Sequence, residues 1–184
     1  MSKALILLAL LVAVSAPGAF AQAGYIGLYA DEAGTECSVA DQGTGQLNVY
    51  VIHQAVSGAA VSQWRIAPGA GFTMTWVGES WSVVAIGDTQ SGASASYGAC
   101  LGSPILLATV TYLSHGTSTP CSYLEVVADP ASSSGTIEVV DCSSQRLTGV
   151  GSRLLVNPDG TCPCGQANPA QDTDWGRIKA MYAD

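Results

Sequence analysis

Gln46-Leu47-Asn48-Val49-Tyr50-Val51-Ile52-His53 alternates its side chains and is rich in β-branched and aromatic residues. A period of two puts Leu47, Val49 and Val51 on one face, as in a strand with one side against a core. The same pattern recurs between Gly, Pro, Ser and Asp clusters at 61–66, 72–77, 81–86, 105–113, 122–128, 136–141 and 153–156. A first strand is expected at 25–30 and a short one near 93–97. Helical periodicity is missing from this body, and no repeat of solenoid or propeller length occurs. The reading is an all-β antiparallel β-sandwich of jelly-roll type, about nine or ten strands in all.

The strands stop at Asn157-Pro158-Asp159-Gly160, a strong turn signal. Cys162-Pro163-Cys164 and the residues to Pro169 read as a loop. Residues 172–182 are the one helix candidate: Asp172 or Thr173 can cap it, and Trp175, Ile178 and Tyr182 share a face. The expected organisation is a β-sandwich domain at 24–157, then a Cys-Pro-Cys loop and short C-terminal helix at 158–184.

Ahead of the sandwich, Met1-Ser2-Lys3 carries one positive charge and Ala4 to Val14 is an unbroken apolar run. Ala19-Phe20-Ala21-Gln22-Ala23 then supplies small residues at the positions a signal peptidase reads. Residues 1–23 are therefore expected to be a cleaved signal peptide, with the cut after Ala23 fitting best and one after Ala21 also allowed. The apolar run is about half of the roughly 20 residues that span a bilayer, so no stable membrane span is expected. Export sets the premises for the rest: a secreted, extracellular or cell-surface setting, with cysteines read as disulfides.

Beyond Lys3 the basic residues are Arg65, Arg146, Arg153, Arg177 and Lys179, against 14 carboxylates in a chain of net charge −8. Nucleic-acid binding is excluded on this balance, because phosphate neutralisation needs a basic footprint. The six cysteines, Cys37, Cys100, Cys121, Cys142, Cys162 and Cys164, form an even set. If 122–128 and 136–141 are the arms of a hairpin turning near Ser132, Cys121 faces Cys142. Cys37 with Cys100 is a second suggestion, with Cys162 and Cys164 as competing partners for either. A zinc site on Cys162 and Cys164 would need two more soft ligands and free thiolates, which an oxidising compartment disfavours.

No catalytic constellation is visible. His53 ends a strand and His115 sits in a Ser-His-Gly turn; Ser114 beside it is adjacency, which does not make a triad. Glu125 and Glu138 are read as solvent-facing residues of the hairpin arms. Calcium is the better metal candidate, because loop carboxylates suit its oxygen-rich shell. Asp31, Glu32 and Glu36 cluster before Cys37, and the turn at Asp159 is a second acidic loop. No other cofactor is expected. Trp64, Trp76 and Trp81, with Tyr50, Tyr97 and Tyr112, are candidates for a stacking platform under a sugar ring. The competing reading puts Trp76, beside Met74, and Trp81, beside Val83 and Ala85, in the core.

Laid out in order, these features resemble the cohesin type of bacterial secreted β-sandwich and its carbohydrate-binding relatives. Leu47 to Val51 resembles the first core strand, and Ser57-Gly58-Ala59-Ala60 with Trp64-Arg65-Ile66 is similar to the family's Gly-Ala turn and aromatic strand. Ser103 to Tyr112 looks like its late amphipathic strand, and Gly135 to Val140 with Arg153 to Val156 like its closing strands. The likeness covers roughly 46–157 by pattern. The cysteines depart from it, since cohesins do not ordinarily depend on disulfides, and no dockerin-contact residue carries over. The tail Thr173-Asp174-Trp175-Gly176-Arg177-Ile178-Lys179-Ala180-Met181-Tyr182 is similar to short endings of uncharacterised secreted bacterial proteins. The resemblance speaks for a cohesin-like fold more than for a partner, and the functional expectation is a secreted or cell-surface, non-enzymatic module that binds an extracellular protein or polysaccharide. A structural surface or filament subunit is the first alternative, a carboxylate-dependent glycoside hydrolase the second.

Overall fold

The computed structural model describes residues 23–162. Residues 1–22 of the expected signal peptide, Cys164 and the expected C-terminal helix lie outside the described residues. Within them run twelve strands and no helix: β1 (Tyr25–Tyr29), β2 (Ser38–Val39), β3 (Thr44–Gln54), β4 (Ala59–Pro68), β5 (Thr75–Trp81), β6 (Val84–Asp88), β7 (Gly92–Leu101), β8 (Ile105–His115), β9 (Ser122–Val127), β10 (Ile137–Asp141), β11 (Arg146–Gly151) and β12 (Arg153–Val156).

One layer has the order β11-β1-β3-β8-β5 and the other β6-β7-β4-β10-β11, extended beside β4 by β9, β12 and β2. All pairs are antiparallel except β1 with β11 and β12 with β2. β11 belongs to both layers: residues 146–149 lie along β10, and Val150 and Gly151 then turn to β1. Val49 and Val51 of β3 are fully buried, and so are Val110 of β8, Trp64 of β4, Leu124 of β9 and Leu154 of β12. They form one apolar core, each large side chain contributing about 1.5–3 kcal/mol on burial. The alternation in Gln46 to His53 is thus a strand with its apolar face inward.

Three local readings are corrected. The segments 72–77 and 81–86 are in fact β5 and β6, because Gly78 is no turn. It sits at a bulge where the β5–β8 register shifts between Trp76 and Gly78, and a glycine in a bulge keeps the strand going. β11 went unread because Gly149 and Gly151 look like strand breakers. At Gly151 a Cβ would stand 1.8 Å from the carbonyl oxygen of Val126, so only glycine lets β11 pass β9 as it changes layer.

The third correction concerns the supposed hairpin of 122–128 and 136–141. β9 and β10 both run antiparallel to β4, Val127 opposite Arg65 and Glu138 opposite Gln63. They therefore point the same way and follow each other along β4, with 128–136 looped out between them. Cys121 and Cys142 lie at opposite ends of this tandem and cannot pair. The observed disulfides are Cys100–Cys142, with Cα atoms 5.2 Å apart, and Cys121–Cys162, at 5.8 Å. The suggested Cys37–Cys100 bond is corrected too, since Cys100 is taken; Cys37 is itself disulfide-bonded.

Candidate functional site

Directly opposed residues of antiparallel strands share a face, so the register gives the outer surface of the second layer. One row runs Val84, Ser96, Val61, Val140, Arg146 from β6 to β11, and the next runs Ile86, Ser94, Gln63, Glu138, Thr148. The alternate residues, among them Ser62, Trp64, Ala95 and Val139, are buried. Val84 is 71% exposed and Ile86 79%. They stand beside serines too small to cover them, which leaves β6 as an apolar rim. At the other end Arg146 lies 3.6 Å from Glu138. Hydrogen bonds from Ser134 and Ser132, helped by Arg146, hold the Glu138 carboxyl below its usual range. The face thus grades from apolar on β6 to charged on β10 and β11.

The aromatic candidates do not assemble into a platform. Trp64 is fully buried, donates its indole N–H to Ser62 Oγ at 2.9 Å and packs on Trp81 across the layers at 5.9 Å between ring centres. Trp81 is half-buried and donates to Glu79. Tyr97 and Tyr112 are buried and Tyr50 is partly covered. Trp76, one of the two tryptophans expected in the core, exposes 37% of its surface.

The acidic loop serves itself. Asp31 Oδ1 accepts the amides of Thr35 and Glu36, both at 2.8 Å, and Oδ2 accepts the Thr35 hydroxyl at 2.6 Å. These bonds, led by the Glu36 amide, lower the Asp31 pKa. Glu32 and Glu36 point to solvent without joining it. Cys121, Asp159 and Cys162 bring ligand atoms together, but the two sulfurs are bonded to each other and are not thiolates. Glu125 pairs with Arg153 at 3.2 Å, on a different strand pair from Glu138 and Arg146.

Asp41 was invisible in the sequence. It is buried, and its carboxylate accepts the amides of His115, Gly116, Thr117 and Ser118 at 2.7 to 3.2 Å and, besides these, the Ser114 hydroxyl. Ser114 thus turns to Asp41, while the His115 ring meets Thr75 Oγ1 at 2.9 Å, so the neighbours form no catalytic pair. The signal was there in part: a Ser-His-Gly-Thr-Ser run offers a row of amides that an acid can gather. His53 is fully buried, with Nδ1 2.8 Å from the Tyr97 hydroxyl and Nε2 3.0 Å from the Ala23 carbonyl oxygen. A carbonyl only accepts, so Nε2 carries the proton and Nδ1 accepts from Tyr97.

No protein-family model and no curated protein matches the sequence. Solved structures do match. The sixth cohesin of Acetivibrio cellulolyticus scaffoldin B, solved with a Cel5 dockerin, superposes with a TM-score of 0.51 at 11% identity, covering 73% of this chain and 98% of that one. A type II cohesin domain from the cellulosome of the same organism gives 0.51 at 10% identity, over 72% of this chain and 94% of that one. Likeness at this identity speaks for architecture, and residues 23–162 have the fold of a cohesin domain.

Proposed function

We propose that this chain is an exported, non-enzymatic module that binds a protein partner on the outer face of β6, β7, β4, β10 and β11. The observation that carries the reading is the exposure of Val84 and Ile86 side by side on one face of β6. Apolar side chains standing out of a sheet mark a docking surface, and a polar rim like that of Glu138 and Arg146 sets orientation. A protein is favoured over a glycan because Trp64 and Trp81, two of the three stacking candidates, are engaged inside the molecule. The similar Acetivibrio cellulolyticus cohesin was solved with a dockerin, which fits a protein partner. The disulfides fit an extracellular address.

The test immobilises the oxidised protein and passes over it the secreted proteins of its source culture and a panel of polysaccharides. The expected result is retention of a protein by the native chain and its loss with Val84→Asp and Ile86→Asp. Retention untouched by both substitutions, or retention of a polysaccharide alone, would overturn the reading.

A further inference from the structure

Ala23, the residue after which a signal peptidase cut fits best by sequence, is built into the folded core. It is 4% exposed and packs in the apolar cluster, and its carbonyl takes the proton on His53 Nε2. Gly24 makes this possible: its φ is +83°, and a Cβ there would stand 1.9 Å from the Gln54 carbonyl oxygen. The chain turns sharply at Gly24 and sends Ala23 inward against β3.

A cut after Ala23 would remove the acceptor from a fully buried imidazole and place the new ammonium of Gly24 beside it. His53 would keep Tyr97 on Nδ1 but lose its partner on Nε2, and the space that Ala23 fills in the apolar cluster would be left empty. A cut after Ala21 leaves Ala23 inside an ordinary peptide. Ala19 and Ala21 supply the two small residues this second cut requires.

We infer that the export leader ends at Ala21 and that the mature chain begins at Gln22, keeping Ala23 as the buried partner of His53. The inference rests on the reading of the N-terminus as a leader and is independent of the proposed binding face. It follows that the peptidase chooses between two overlapping small-residue sites, and that only one product carries the complete fold.

The experiment is intact-mass analysis and N-terminal sequencing of the protein secreted from the full-length gene. The expected start is Gln22, as the free residue or as its cyclised form lacking one ammonia. A start at Gly24 would overturn the inference while leaving the leader reading intact, and an uncleaved chain starting at Met1 would overturn both. As a second measurement, chains prepared from Gln22 and from Gly24 are oxidised and melted in parallel. The Gly24 chain is expected to melt lower by about 5 °C or more. Equal melting temperatures would remove the physical reason offered here and overturn it.

Discussion

Asp41 Oδ2 accepts the backbone amide of Ser118 at 2.8 Å across 77 positions of sequence. Around this bond the carboxylate gathers the whole turn from Ser114 to Ser118, tying the end of β8 to the segment that leads into β3. An amide side chain cannot copy it, since one end of asparagine would present N–H groups to N–H groups.

Asp41→Asn is therefore expected to lower stability by about 2–3 kcal/mol in urea unfolding at neutral pH. Burial raises the Asp41 pKa, but the Ser114 and Ser118 hydroxyls and the amides of Ser118 and Gly116 outweigh it and hold the group below its usual range. With the folded value under the unfolded 3.8, the contribution is complete above 3.8 and is lost as pH falls from there towards the folded value. Native protein and variant should thus converge in acid. A gap that persists unchanged far below 3.8 would show that the charge is not the cause.

His53 gives the opposite chemistry with the same sign. Burial lowers its pKa from 6.5, and the Ala23 carbonyl only partly offsets this. The unfolded chain takes up a proton near 6.5 that the native chain refuses, so stability is complete above 6.5 and falls below it. Ring NMR signals of His53 should stay at their neutral positions as pH is lowered through 6.5. Titration at or above that value would contradict the buried hydrogen-bonded imidazole.

Gly151 is required by space. Gly151→Ala forces a Cβ to within 1.8 Å of the Val126 carbonyl oxygen at the point where β11 crosses between layers. A loss of at least about 2 kcal/mol is expected. Gly102→Ala is the control, because nothing lies within 4 Å of the added carbon. Chain entropy alone favours alanine, so the control should lose nothing, and a Gly151→Ala chain as stable as the control would show that crowding does not set the effect.

These positions show why the sequence was only partly legible. A strand such as 46–53 announces itself through its own side chains, because burial on one face imposes period two. Gly78 and Gly151 carry no such mark: a glycine shows its place in a strand only once the strand opposite is known. Asp41 is similar, since its role is defined by amides that arrive from 74 to 77 positions away. The face of β6, β7, β4, β10 and β11 also needs the register, because only then do Val84 and Ile86 align with Glu138 and Arg146.

The tandem placement of β9 and β10 makes a covalent prediction. Peptide mapping without reduction should recover Cys100 linked to Cys142 and Cys121 linked to Cys162; a peptide joining Cys121 to Cys142 would require the discarded hairpin. Cys100–Cys142 closes a separation of 42 residues, ties β7 to the end of β10 and packs beside Gly58. Replacing both cysteines by serine should cost about 4 kcal/mol on the chain-entropy account.

Val84→Asp and Ile86→Asp separate fold from function. Both side chains are more than two-thirds exposed, so each substitution should change stability by no more than about 0.5 kcal/mol. An aspartate at the centre of an apolar contact must be desolvated without a partner, and a complex through this rim should weaken by about tenfold or more. Arg146→Ala at the charged end removes a mostly solvated pair and should weaken binding far less. Melting curves and titrations with the retained partner measure both sides. If the Arg146 variant loses binding while the β6 variants keep it, the contact centres on β10 and β11, and the apolar rim lies outside it.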